Sequence, residues 1–157
     1  MTHAGRDLNT LTEGERLLME EAIMQADLSF LREGVPIGAI LARGNELLAR
    51  GHNQRVQQGD SIAHGEMDYL RNEGRLKTYR DLTLFTTLSP CMMCAGTIVQ
   101  FKIPRVIVGE NLTFGGNEKF LSDRGVGVIV LDDPRCIALM EKFKQQYPAV
   151  WNEDIAE

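Results

Sequence analysis

Two short segments carry residues whose types and spacing could do chemistry: His64-Gly65-Glu66 and Pro90-Cys91-Met92-Met93-Cys94. Cysteines at i and i+3 of a helix share one face. At a helix N-terminus they sit where the dipole and free N–H groups favour thiolate, the form that binds metal. Taken alone, the Cys-x-x-Cys leaves three readings open. It could be a redox pair, half of a four-ligand structural zinc site, or two of three ligands in a catalytic zinc site with its fourth position left for water. His64 bears on that choice because Glu66 follows two residues later. Residues i and i+2 of a helix do not face each other, so this pair converges only at the open end of a first turn. A histidine ligand beside a carboxylate that does not bind the metal supplies the parts for activating a zinc-bound water. Read blandly, Glu66 is a helix-start glutamate that stabilises the dipole; the two motifs together favour the proton carrier.

The elements around these motifs follow from periodicity and punctuation. Thr12 and Glu15 form a capping-box pattern ahead of a helix with Leu17, Leu18, Ala22, Ile23, Ala26, Phe30 and Leu31 at helical spacing. Gly34 and Pro36 are expected to stop it. Residues 37–42 and 47–50 read as a hairpin around Arg43-Gly44-Asn45-Glu46, and 51–62 as a polar loop. A second helix is expected over 63–73, a buried strand over 82–87, and a third helix from Ser89 as N-cap and Pro90 as first helical residue to about Phe101. An apolar strand at 106–108 leads into a Gly-rich loop at 111–117 and a short helix around Phe120. A strand at 126–131 precedes a last helix that Asp133-Pro134 opens and Pro148 ends, with Leu139, Met140 and Phe143 as its apolar face. This order, α-β-β-α-β-α-β-β-α, predicts an α/β fold with a mixed sheet sandwiched between helices, its short apolar strands buried on both faces.

Composition sets the outer limits. The chain has 157 residues, 43% apolar and 25% charged, with a net charge of −5. That is ordinary for one globular domain over 1–157 and argues against disorder. No apolar run approaches the ~20 residues of a membrane-spanning helix, and the polar start shows no signal-peptide core. The acidic balance excludes a general attraction to phosphate backbones. Arg71, Arg75, Lys77 and Arg80 form the only loose basic group and read as a solvated surface, so nucleic acid is not the expected partner. Three cysteines without a signal peptide fit a reducing cytoplasm. Cys136, in the apolar last helix, reads as a core residue.

His64-x-Glu66 followed by Pro90-Cys91-x-x-Cys94 is the zinc deaminase signature. The resemblance extends through Gly34-Val35-Pro36-Ile37-Gly38, Gly51-His52-Asn53, the stretch LFTTLSPCMMC at 84–94, Val108-Gly109-Glu110-Asn111 and the ending Trp151-Asn152-Glu153-Asp154-Ile155. From Glu13 onward the chain resembles the fungal cytosine deaminases, small zinc enzymes of the cytidine-deaminase-like superfamily. That resemblance implies a three-layer α/β/α sandwich around a five-stranded mixed sheet, and a homodimer. It implies one zinc ion held by His64, Cys91 and Cys94, with Glu66 as proton shuttle. Asn53 would hydrogen-bond the pyrimidine edge, Gly65, Cys91 and the Ser89 carbonyl would line the ring, and Phe114 and Trp151 would form aromatic walls. Asp154 would meet the exocyclic amine, and Ile37 and Leu88 would line the pocket. Residues 149–157 would then be a lid over the site, and residues 1–11 a flexible start. Met92 stands where the fungal enzymes carry an acidic residue, and Met67-Asp68-Tyr69 departs from them as well.

The expected reaction is hydrolytic deamination of free cytosine to uracil and ammonia, by a zinc-bound hydroxide with Glu66 carrying protons. Within the enzymes, the alternative is a nucleoside or tRNA adenosine deaminase, or action on another aminated heterocycle. The alternative of a different class is a non-catalytic zinc protein with Cys136 or His52 as fourth ligand. Met92, Met93, Ile98 and Phe101, apolar on the Cys-bearing helix, are the expected subunit contacts or core.

Overall fold

The structure is a computed structural model that describes residues 11–157. Of the start expected to be flexible, 1–11, residues 1–10 and His3 with them lie outside the described residues, whereas Leu11 is described and is buried in the core. Twelve elements follow: α1 (Glu13–Leu31), β1 (Gly38–Arg43), β2 (Glu46–His52), α2 (Arg55–Gln58), α3 (Gly65–Glu73), β3 (Leu82–Leu88), α4 (Met92–Phe101), β4 (Arg105–Glu110), α5 (Glu118–Asp123), β5 (Gly127–Val130), α6 (Pro134–Gln146) and α7 (Pro148–Asp154).

The strands form one mixed sheet in the order β2-β1-β3-β4-β5. β1 is antiparallel to both β2 and β3, whereas β3, β4 and β5 run parallel. Strand alternation sends neighbouring side chains to opposite faces, and both faces are apolar. Ala39, Leu41, Leu84, Val106 and Val108 point to one layer, where Tyr69 of α3, Ala95 and Ile98 of α4, and Leu121 of α5 cover them. Ile40, Ala42, Phe85 and Ile107 point to the other, against Met19, Ala22 and Ile23 of α1 and Cys136 of α6. This is the expected three-layer sandwich. Each large side chain buried in it, such as Phe85 or Ile98, contributes ~1.5–3 kcal/mol.

Two glycines set how closely the helices approach the hairpin. A Cβ on Gly38 would lie 2.1 Å from the Ala22 carbonyl oxygen of α1, and one on Gly51 would lie 2.4 Å from the Tyr69 nitrogen of α3. The hairpin is thus clamped between α1 and α3, which holds the start of α3 in place.

Several boundaries differ from the sequence reading. The capping box at Thr12 and Glu15 is present, but α1 reverses at Glu33, in the left-handed region at φ 62°, one residue before Gly34. Leu17 and Leu31 face solvent, outside the buried stripe. The loop at 51–62 contains the end of β2 and the short α2. α4 starts two residues later than expected, with Cys91 as N-cap. Ser89 does not cap it, because its hydroxyl donates to Glu118 at 2.9 Å and its N–H to the Glu110 carbonyl at 3.0 Å. Pro148 does not end α6, which closes at Gln146; it opens α7, a proline in the first turn where a missing N–H costs nothing. Trp151 of α7 packs with Val35, Ile37, Leu88, Met140 and Phe143 in a third cluster at the carboxyl end of β3.

Candidate active site

The site forms where two helices begin. His64 is the N-cap of α3 and Cys91 the N-cap of α4; both are extended, and neither side chain caps its own helix. Both are therefore free to face each other. His64 Nδ1 lies 3.5 Å from Cys91 Sγ and 3.7 Å from Cys94 Sγ. All three donor atoms lie within 4.8 Å of one another, the one such metal-binding trio among the described residues. Zn–S of ~2.3 Å and Zn–N of ~2.05 Å at tetrahedral angles put nitrogen and sulfur roughly 3.6 Å apart. The trio fits a zinc ion in separation and in donor chemistry, and supplies three ligands and no fourth.

Glu66 is buried, at 3% exposed. One carboxylate oxygen accepts from the Cys94 thiol at 3.2 Å and the other from the Thr86 hydroxyl at 3.1 Å. Burial pushes its pKa up, only partly offset by His64. The two thiols are polarised against each other. The Cys91 thiol is brought down to about 4, first by its hydrogen bond from Cys94 and then by His64, while Cys94 is raised.

A cavity of about 200 Å³ opens onto these groups. Ile37, Leu88, Ser89, Phe114, Trp151 and Asp154 line it alongside His64, Glu66 and Cys91. Asn53 and Gly65 do not belong to its wall. Gly65 lies just behind, where a Cβ would come 3.2 Å from the Ile37 carbonyl oxygen. Asn53 is fully buried; its Oδ1 accepts from the Arg55 N–H at 3.0 Å, and its Nδ2 has no partner. Asp154 is drawn in by Arg55, whose Nη1 lies 2.9 Å away, and its Oδ1 is 3.6 Å from His64 Nε2. Burial raises the Asp154 pKa, against the pull of His64 and Arg55.

Three contributors escaped the sequence reading. Thr86 is one of three threonines in β3, and nothing in the sequence separates it from Thr83 and Thr87. Glu118 accepts from Ser89, from Asn111 at 3.0 Å and from the Gly116 N–H at 2.8 Å, which ties the Phe114 loop to the approach to α4. Arg55 meets its partner at the far end of the chain, where no local spacing could show it. Cys136 and His52 are not fourth ligands: Cys136 is in the core, and the His52 ring faces its neighbour's carbonyl and Arg32.

The sandwich, the metal trio and the buried carboxylate define a class. The sequence matches the family profile described as "Cytidine and deoxycytidylate deaminase zinc-binding region" over residues 12–110. The chain belongs to this family of zinc-binding deaminases, and zinc is its metal. More particularly, it is 47% identical over 150 residues to the cytosine deaminase of Candida albicans, covering 94% of this chain and 100% of that one. It is 33% identical over 150 residues to a tRNA-specific adenosine deaminase of Streptococcus pyogenes, covering 85% of this chain and 92% of that one. The structure of guanine deaminase from Nitrosomonas europaea aligns with a TM-score of 0.68 at 20% identity, over 82% of this chain and 83% of that one, and shows the shared fold.

Proposed function

We propose that this protein hydrolyses free cytosine to uracil and ammonia. The observation that carries the reading is the closure of the cavity by the chain's own end. Trp151 and Asp154 of α7 stand in its wall together with His64, Cys91 and Glu66, and Asp154 Oδ1 lies 3.6 Å from His64 Nε2. At about 200 Å³, the space is below the ~300–1,000 Å³ of pockets for larger ligands. A single flat ring suits it; a ribose on that ring would run into α7. The similarity to a cytosine deaminase over nearly the whole chain supports the same substrate.

His64, Cys91 and Cys94 would hold one zinc ion. Bound there, zinc supplies Lewis acidity that lowers the pKa of water to ~7. Glu66 does the proton work. Its raised pKa suits a group that takes a proton from water, delivers it to the ring nitrogen beside the attacked carbon, and passes another to the departing amine. Thr86 holds the carboxylate oxygen that faces away from Cys94. Asp154 accepts from the exocyclic amine, and Asn53, buried just behind the wall, is assigned the ring edge by the family likeness. The Ser89 carbonyl and the Gly65 backbone bind the rest of the edge, with Phe114 and Trp151 as aromatic walls and Ile37 and Leu88 as apolar lining. Water's oxygen replaces the amine on carbon, and nitrogen leaves as ammonia.

The protein works as a homodimer in the cytoplasm, in pyrimidine salvage. Exposed Met92 and Phe101 on α4, at 55% and 42% exposed, support the pairing; Ile98, expected at the contact or in the core, is in the core. Free thiols suit a reducing compartment. No helix among the described residues is long and apolar enough to cross a membrane. Ammonia release from a panel of cytosine, cytidine, adenine, guanine and a tRNA anticodon stem tests the reading. Cytosine should be the substrate and cytidine should not. Preference for cytidine, a purine or the RNA would overturn it.

A further inference from the structure

Arg55 is outside the cavity wall, yet it touches both ends of the machinery that faces the ring. Its side chain is 9% exposed, unusual for a cation on a four-residue helix in a polar loop. Its Nε donates to the Ser61 carbonyl at 3.0 Å, which anchors the guanidinium within its own loop. From that anchor, Nη1 forms an ion pair with Asp154 Oδ1 at 2.9 Å, without hydrogen-bond geometry, and Nη2 lies 3.6 Å from Glu153, both on α7. Its main-chain N–H meanwhile donates to Asn53 Oδ1. That bond uses the amide's acceptor and leaves Nδ2 as the free donor. Within the α7 segment, Asp154 is the buried carboxylate, at 5% side-chain exposure, while Glu153 is 73% exposed. A guanidinium hydrogen-bonded within the loop and ion-paired with α7 ties the two segments together across its planar head.

We propose that Arg55 is a positioning residue whose side chain latches α7 over the cavity and holds Asp154 in its wall, so that this acceptor faces the ring. The proposal rests on the reading of the site as a free-base deaminase pocket. A buried pair that loses one partner leaves an uncompensated charge, so without the guanidinium Asp154 swings toward water and takes α7 with it. Asn53 keeps its contact, because the main-chain N–H of residue 55 remains. The loss therefore falls on the α7 side of the pocket.

Trp151 is the chain's only tryptophan, and it is buried at 5% exposed, so its emission reports α7 docking without any substrate. The test compares zinc-loaded Arg55→Met, Arg55→Lys and Glu153→Gln with the unaltered protein. Arg55→Met should red-shift Trp151 emission and increase its quenching by acrylamide, with zinc content close to that of the unaltered protein. Misplacement on this scale should lower kcat/KM for cytosine about 10²-fold, mostly through KM. Arg55→Lys keeps one ion pair without the planar head and should recover part of both signals. Glu153→Gln should change kcat/KM by no more than about twofold, as exposed pairs contribute little. Unchanged emission and KM in Arg55→Met would overturn the proposal. So would a uniform loss of Tm, zinc and kcat with no KM shift, or a lysine variant no better than methionine. If the unaltered protein does not deaminate cytosine, the functional reading fails on its own, and the emission of Trp151 still decides the latch.

Discussion

Glu66 illustrates how much one residue's surroundings decide. A carboxylate at a helix start would ordinarily stay ionised and exposed, yet here burial raises its pKa and a thiol and a hydroxyl hold its two oxygens. Replacing it by alanine removes the proton carrier and no metal ligand. Glu66→Ala should therefore keep zinc, as metal analysis would show, and lose ~10²–10⁴ in the rate of ammonia release; activity within tenfold of the unaltered protein would refute the assignment. Cys91→Ala and Cys94→Ala should instead lose the ion itself, since each removes one of three ligands. At this scale the sequence is informative where partners are local. His64 and Glu66, and Cys91 and Cys94, announce themselves by spacings of two and three residues at helix starts. Arg55 and Asp154 are far apart in the chain, and nothing in either neighbourhood points to the other. Asn53 was legible only through family resemblance, since a buried amide leaves no pattern.

Elements position those residues, and their ends matter more than their middles. Ser89-Pro90 looks like a helix start, but tertiary partners claim it: Glu118 takes the Ser89 hydroxyl, and Asn117 Nδ2 donates to the Pro90 carbonyl at 3.0 Å. The cap falls to Cys91, and that shift leaves the thiol free to face His64. Glu118→Gln should loosen this turn by about 1–3 kcal/mol, because it leaves a donor where three donors already converge. The pH dependence follows. Burial raises the Glu118 pKa, but its own amide, Asn111, Ser89 and Gly116 outweigh that and lower it below the ordinary 4.5. A lowered folded pKa means stabilisation that is full above 4.5 and lost as pH falls through the folded value. Urea titrations should thus show a smaller loss of stability on acidification below that pH in Glu118→Gln than in the unaltered protein. The last helix is the second case. Its proline reads as a stop, although a proline after a break also opens a helix. Removing residues 148–157 should leave the metal trio intact and zinc bound, while cytosine turnover largely disappears; full turnover in the truncated chain would exclude a role for α7 as cover.

For the molecule as a whole, sequence periodicity gave the layers and the strand order in the chain, because both sheet faces are apolar and alternation is unambiguous. It could not give the order across the sheet, where β1 sits between β2 and β3, since pairing depends on contacts remote in sequence. The exposed Met92 and Phe101 lead to a quaternary expectation: light scattering at micromolar concentration should give twice the chain mass, and Met92→Glu with Phe101→Glu should shift it toward the monomer. The placement of β1 has a mechanical side as well. His64 follows β2 and Cys91 follows β3, so the metal joins the two segments that flank β1, across a span of 27 residues. An ion in that position is a cross-link: it closes a loop that would otherwise fluctuate in the unfolded chain. Metal-binding energy then becomes folding energy, about 4 kcal/mol for free zinc at a thousand times its Kd. Chelation would therefore not only silence such a protein but lower its stability, loosening the hairpin's seat in the sheet.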